Sequence, residues 1–278
     1  MSKGQLVVCA TPIGNLGDIS ERLRDVLSRV DVVYAEDTRR TTVLLDHLGV
    51  SPPLRSLFVG NEQTRSDEVA RAVGEGQMVA LVTDAGMPSV SDPGSDAVAK
   101  VRAAGLTVTV IPGPSAVTSA VAVAGFGGDR FVFEGFLPKK GGQRESRLRG
   151  IARDDRPVVL FVSPHRLLAD LESLARAVGL DREIAVIREL TKMHEEIWVG
   201  RLGDAVEEWS ARPAKGEFTV VIAPGTPSTV STGEAIAAAR AEVEAGASPS
   251  TAARDVSESS GVSRREIYQA LIDDQGSS

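Results

Sequence analysis

The run Gln5-Leu6-Val7-Val8-Cys9-Ala10 is short and mostly apolar, and it breaks at Thr11-Pro12-Ile13-Gly14-Asn15-Leu16. It reads as a strand that ends in a turn-forming loop. Behind it, Asp18-Ile19-Ser20-Glu21 has the spacing of a capping box, with Asp18 as N-cap and Glu21 three residues on. Ile19, Leu23, Val26, Leu27 and Val30 then fall on one helical face. The unit recurs. Val32–Ala35 reads as a strand before a helix over residues 40–48 that Gly49 stops. A helix over 66–75 leads to a strand at 79–83. A helix over 96–104 ends at Gly105, and the strand Thr107–Ile111 leads to a small-residue helix over 115–124. This alternation predicts βα units on a mostly parallel sheet.

Gly125-Phe126-Gly127-Gly128 interrupts the pattern. Strands are predicted beyond it at 131–134, Val158–Val162, 184–188, 196–199 and 218–223, with helices at 144–153, 165–178 and 202–210. The last strands lie close together, so the second sheet is expected to be mixed. From Pro224 the composition changes. Residues 225–232 read as a Pro/Ser/Thr/Gly linker, 234–245 as an Ala/Glu-rich helix, and 249–272 as two short helices around Gly261-Val262, with Ser263 capping the second. The expected organisation is an N-terminal α/β domain (1–125), a C-terminal α/β domain (126–224) and a helical extension (225–278).

Composition sets the outer bounds. The chain has 278 residues, 42% hydrophobic and 25% charged, which excludes wholesale disorder. Its apolar runs are far shorter than the roughly 20 residues that span a bilayer. No secretory signal is read at the N-terminus, so a cytoplasmic, membrane-free protein is expected. Cys9 is the only cysteine, which excludes an internal disulfide framework. It lies on an apolar strand and is expected in the core. His47, His165 and His194 have no metal-ligand spacing, so no metal is expected. A net charge of −7 argues against a histone-like polyanion binder, and 4% aromatics against an aromatic strand-binding platform.

Function is written in the loops. Thr11–Leu16, Glu36-Asp37-Thr38-Arg39, Asn61-Glu62, Asp84-Ala85-Gly86-Met87-Pro88 with Asp92-Pro93-Gly94, and Pro112-Gly113-Pro114-Ser115 follow five successive strands. In an α/β sheet, such loops converge on one crevice where ligands bind. Neither G-x-G-x-x-G after the first strand nor G-x-x-x-x-G-K-[ST] is present, which disfavours a Rossmann dinucleotide site and a P-loop.

Those loops occur in the order seen in one family, as do Glu134-Gly135-Phe136-Leu137-Pro138, Pro164-His165-Arg166, Arg188-Glu189-Leu190-Thr191-Lys192 and Lys215-Gly216-Glu217-Phe218. Over about residues 5–224 the chain resembles the tetrapyrrole (corrin/porphyrin) methylase superfamily. Within it, the chain resembles the bacterial branch that methylates a cytidine 2′-hydroxyl of small-subunit ribosomal RNA. The Pro12–Leu16 and Glu36–Arg39 stretches are those of the RNA branch. The C-terminal helices resemble the helix-turn-helix extension of many members.

The resemblance implies S-adenosylmethionine held in a cleft between two α/β domains, usually in a homodimer. It implies a 16S rRNA substrate, methylated near the decoding centre of the assembled 30S subunit. Carried over by position, Ile13 and Gly14 lie by the cofactor. Asp84 and the Gly86-Met87-Pro88 turn face its methionine and ribose parts, and Ser115 and Ala116 meet it at a helix start. Phe161, Val162, Arg188, Glu189, Glu217 and Phe218 close over the adenine. Two positions depart from the family pattern. Gly60 stands where a His usually precedes Asn-Glu, and Val162 stands where an acid usually precedes the Pro-His-Arg run.

Methyl transfer from a sulfonium is an in-line displacement, so positioning supplies much of the rate. A base within reach of the ribose hydroxyl would help, and Asp37, Glu62 and Lys192 are the candidates. Lys192 qualifies only with a lowered pKa. RNA contact is expected from Asn15, Arg39, Arg40 and Arg166, and from the cluster of Lys139, Lys140, Arg144 and Arg147, with Arg149 and Arg153 beyond it. Two other readings stay open: a tetrapyrrole C-methyltransferase, and a cofactor-sensing regulator acting through its C-terminal helices.

Overall fold

A computed structural model describes residues 4–225 and 231–275. The first strands are β1 (Gln5–Cys9), β2 (Val32–Ala35), β3 (Leu54–Ser56), β4 (Met78–Val82) and β5 (Thr107–Ile111). They alternate with α1 (Glu21–Leu27), α2 (Thr38–Leu48), α3 (Glu62–Gly74) and α4 (Ser95–Ala103). All five strands run parallel in the order β3-β2-β4-β1-β5. Val7, Cys9, Val33, Ala35, Ala80 and Val82 point to one face, against Leu23, Leu27, Leu44 and Leu45 of α1 and α2. Leu6, Tyr34, Val79 and Leu81 point to the other, against Val69, Val73, Ala97 and Val101 of α3 and α4. The central strands β1 and β4 read as unbroken apolar runs because both faces are covered. Cys9 is buried among them, and that burial pushes its thiol up to about 12.

The next helix, α5 (Ala116–Ala124), leaves β5 but packs Val117, Ala120, Val121 and Ala124 on the second sheet. It therefore straddles the division expected near residue 125. The second sheet comprises β6 (Val132–Phe136), β7 (Val158–Val162), β8 (Glu183–Arg188), β9 (Glu196–Arg201) and β10 (Phe218–Ile222), in the order β6-β7-β10-β8-β9. Only β6 and β7 are parallel, so the sheet is mixed, as expected. Its other face meets α6 (Gly142–Arg153), α7 (Leu167–Val178) and α8 (Leu202–Ala211). There Leu160, Leu167, Leu171 and Leu174 are almost wholly excluded from water. Side chains of this kind each contribute about 1.5–3 kcal/mol by leaving water.

The C-terminal helices α9 (Thr232–Glu244), α10 (Pro249–Ser260) and α11 (Arg264–Gln275) close on a core of their own. Ala235, Ala239, Ala252, Ala253, Val256, Ile267 and Leu271 form it. Ser231 and Glu234 make a reciprocal capping box at the start of α9. Gly261 ends α10 at φ 73°, the left-handed value that favours glycine. Residues 226–230 of the expected linker lie outside the described residues.

One local expectation is corrected. Asp18 does not cap α1. Asn15 caps a single 3-10 turn over Leu16–Asp18, and Ser20 is the N-cap, its hydroxyl accepting from the Leu23 amide at 3.1 Å. Serine there sits directly before the first helical residue, where its oxygen reaches the third amide. Among the described residues no helix is long and apolar enough to cross a membrane.

Candidate active site

The carboxyl ends of β1, β2 and β4 are tied together before any ligand is considered. Thr11 and Gly86 exchange backbone hydrogen bonds at 2.9 and 3.1 Å. The buried Thr11 hydroxyl donates to the Thr83 carbonyl at 3.0 Å. The Asp37 amide donates to Asp84 Oδ1, also at 3.0 Å. Gly86 turns at φ 86°, and a Cβ there would touch Ile13 at 3.4 Å. Glycine thus allows the turn and the close approach together.

These loops and the second sheet enclose a cavity of about 400 Å³. Ile13, Glu36, Asp84, Met87 and Asp92 wall it from the first sheet, and Phe136, Phe161, Val162, Ile187 and Phe218 from the second. The start of α5 also opens into it, through Ser115 and Ala116. Ser115 makes no side-chain cap bond, so its hydroxyl is not spent on the helix. The Phe161 ring meets Phe133 edge-on at 5.0 Å and Phe136 at 5.6 Å. Phe136 keeps 55% of its surface exposed.

Two carboxylates of the cavity share one hydroxyl. Thr83 Oγ1 lies 2.9 Å from Glu36 Oε2 and 2.8 Å from Asp92 Oδ2. The threonine has one proton to donate, so the second contact is satisfied when a carboxyl is protonated. Asp92 takes that proton below about pH 6. Burial pushes it up to about 6, the Glu36 and Asp84 charges add to the shift, and the Thr83 hydrogen bond opposes it.

A second cavity of about 210 Å³ adjoins the first, and both are bordered by Ile13, Arg40, Asp84, Ala85 and Glu217. Lys192 covers it. Its stem crosses Gly14 so closely that a Cβ on that glycine would clash with Lys192 Cγ. Its ammonium donates to Glu189 Oε1 at 2.9 Å and Glu217 Oε2 at 3.0 Å. Burial pushes the ammonium pKa down, but the two carboxylates outweigh it and hold the pKa above the ordinary lysine value. Lys192 is therefore a cation, and its expected role as a neutral base does not fit this arrangement.

The other two candidate bases are also engaged. The hydrogen-bonded Arg39 guanidinium, helped by its own amide, holds the Asp37 carboxyl down at about 2. Glu62 Oε1 accepts from the Gly94 amide at 2.7 Å and braces the start of α4. Asp37 and Glu62 border neither cavity.

Of the positions expected at the cofactor, Ile13, Asp84, Gly86, Met87, Ser115, Ala116, Phe161, Val162, Glu217 and Phe218 border the larger cavity. Gly14 borders the smaller one. Pro88, Arg188 and Glu189 border neither. Arg188 Nε donates to the Lys215 carbonyl at 2.6 Å, and Glu189 Oε1 accepts from the Glu217 amide at 2.8 Å. These two hold the Lys215–Phe218 loop in place.

The basic residues divide. Lys139 and Lys140 are exposed, and Arg39 is 89% exposed in its side chain. Arg40 reaches the cleft and pairs with Asp84 at 3.5 Å. Arg144 is buried, donating to Asp170 at 2.7 Å and to the Pro138 carbonyl at 3.0 Å, so its expected RNA contact is withdrawn. Arg166 joins the same Asp170 and the Lys139 carbonyl. Arg147 holds the Glu134 and Phe136 carbonyls. Asn15 caps its 3-10 turn through Oδ1. Sequence reasoning missed Glu36, Asp92 and Phe136 as cavity walls. All three stand in motifs already quoted, but nothing in those motifs says which side chain turns inward.

Residues 5–206 match the family described as Tetrapyrrole (Corrin/Porphyrin) Methylases, and the chain belongs to that family. Within it, the chain is 44% identical over 219 residues to Ribosomal RNA small subunit methyltransferase I of Thermotoga maritima, covering 79% of this chain and 98% of that one. It is 40% identical over 273 residues to the protein of the same name from Synechocystis, covering 97% and 98%. Among solved structures, a uroporphyrin-III C-methyltransferase from Thermus thermophilus, complexed with S-adenyl homocysteine, shares the fold. Its TM-score is 0.55 at 19% identity, over 78% of this chain and 96% of that one.

Proposed function

We propose that this protein transfers a methyl group from S-adenosylmethionine to the ribose 2′-hydroxyl of a cytidine in 16S rRNA, near the decoding centre of the assembled 30S subunit. The observation that carries the reading is identity of about 40% along 97% of the chain to a relative named as a small-subunit rRNA methyltransferase. The larger cavity supports it by its chemistry. Phe136 and Phe161 offer aromatic faces to an adenine. The open start of α5 with Ser115 suits a carboxylate, as helix N-termini do. Glu36, Asp84 and Asp92 suit a ligand that carries positive charge.

When bound, S-adenosylmethionine supplies an electrophilic methyl group on a sulfonium. The protein's work is then mainly positional. Gly86, pinned to Thr11, keeps the cavity wall in one place. Asp84 borders both cavities, and its Oδ2 receives the hydroxyl proton as the new bond forms. Lys139, Lys140 and Arg39 meet phosphates. The enzyme works in the cytoplasm as a homodimer, which sedimentation of the full chain tests.

Labelled S-adenosylmethionine with undermethylated 30S subunits, and free 16S rRNA alongside, tests the reaction. The expected product is 2′-O-methylcytidine, formed faster on assembled subunits. Cofactor binding with no label in either RNA would overturn the substrate and favour a tetrapyrrole acceptor.

A further inference from the structure

The smaller cavity has two kinds of wall. One is apolar, made by Pro12, Leu16, Val43 and Leu44. Leu16 and Val43 leave 41% and 63% of their surfaces exposed there, next to the charged Arg39 and Arg40 of α2. The other wall is ionic. Arg40 pairs with Asp84 at 3.5 Å and Lys192 with Glu217 at 3.0 Å. Arg40, Asp84 and Glu217 border both cavities, so these pairs stand where the cavities join.

An apolar shelf beside cations suits a flat heteroaromatic ring on an anionic backbone. The ring packs on the shelf while Lys and Arg meet the phosphates. Arg39, paired with Asp37 at 2.7 Å and with its side chain 89% exposed, extends this ionic rim outward. The cavity, at about 210 Å³, admits a single nucleoside and no duplex. Its occupant is therefore a nucleotide turned out of its stack, the form in which single-stranded RNA offers both ring faces and its 2′-hydroxyl.

We infer that the smaller cavity is the acceptor pocket: an unpaired ribonucleotide lays its base on Leu16 and Val43 and sets its 2′-hydroxyl at the junction beside Asp84. Its flanking phosphates lie on Arg39 and Lys192. This inference rests on the methyl-transfer reading and deepens it, because it assigns separate places to donor and acceptor. Lys192 comes from the loop after β8 and Gly14 from the loop after β1, so the pocket is complete only when the two halves are apposed.

The test uses Val43→Asp and, independently, Leu16→Asp in the full chain. Val59→Asp is the control, because Val59 is 80% exposed and borders neither cavity. Binding of undermethylated 30S subunits, transfer to them and S-adenosylmethionine affinity are measured separately. Each pocket variant is expected to weaken subunit binding and raise KM about tenfold or more, because it removes an apolar contact and sets a carboxylate beside the phosphates. S-adenosylmethionine affinity and melting temperature are expected to stay at wild-type values, and the control to match wild type throughout. Wild-type binding and KM in both pocket variants would overturn the inference, as would an equal loss of cofactor affinity. If the unsubstituted protein methylates no ribosomal RNA, the methyl-transfer reading falls, and subunit binding alone decides the pocket. Weaker binding in the pocket variants and not in the control then supports it, and equal or absent binding overturns it.

Discussion

Gly14 and Lys192 show how much one residue can decide. Gly14 turns at φ 143°, and the Lys192 stem occupies the space a side chain would need. Gly14→Ala is expected to cost about 1–3 kcal/mol of stability through backbone strain and the clash. It should also lower kcat/KM on subunits at least about tenfold, since sub-ångström displacement of the cleft is costly. Denaturant titration and steady-state kinetics check both. Asp92 makes a pH prediction. Its carboxyl titrates near 6 when folded against 3.8 ordinarily, because it is buried. Between those values the folded chain holds the extra proton, so stability falls as pH rises and the loss is complete above about pH 6. Asp92→Asn stays neutral and can still donate to Thr83. It is expected to melt above wild type at neutral pH and to lose that advantage by about pH 3, where Asp92 is protonated folded or unfolded. Calorimetry at both pH values decides it, and equal shifts at both would exclude the titration.

At the scale of elements, α6 carries the sharpest lesson. Its basic residues and those of the loop before it read alike in sequence, as a surface for phosphates. In the fold, Arg144 points inward to Asp170 on α7 and pins the loop before α6, while Lys139 and Lys140 stay in water. Arg144→Ala is expected to destabilise by about 3–5 kcal/mol, as breaking one side of a buried ion pair does. The double change Lys139→Ala, Lys140→Ala should leave the melting temperature unchanged and reduce the salt dependence of subunit binding by about two phosphate contacts. Thermal melts with binding across a salt series separate the two. Element positions themselves were largely legible: Val32–Ala35, Thr107–Ile111 and Val158–Val162 lie where their apolar runs end. Helix starts were less so. The helix expected from residue 66 begins at Glu62, because that carboxylate is recruited by the Gly94 amide, 32 residues away.

In the whole molecule, α5 binds the halves together. It follows the last strand of one sheet and buries its face on the other. The C-terminal helices instead close on their own apolar cluster. A chain ending after Pro224 is therefore expected to keep S-adenosylmethionine affinity within about twofold, since units with separate cores fold separately. Isothermal titration of the shortened chain tests this, and loss of cofactor binding would show that α9–α11 support the cleft.

Local pattern carried the βα alternation, the mixed second sheet, the loops at strand ends and the family motifs. Each is a property of neighbours in the chain, set by apolar period, turn residues and short signatures. Which loop residues meet was decided only by folding. Asp84 reaches the Asp37 amide 47 residues away, Lys192 crosses from the loop after β8 to Gly14 in the loop after β1, and Arg144 chooses Asp170 over solvent. Such choices depend on the burial and geometry of partners far apart in sequence. Charge type alone does not encode them, and so the pairing of Asp37 with Arg39, of Glu62 with the Gly94 amide and of Lys192 with Glu189 and Glu217 is visible only in the fold.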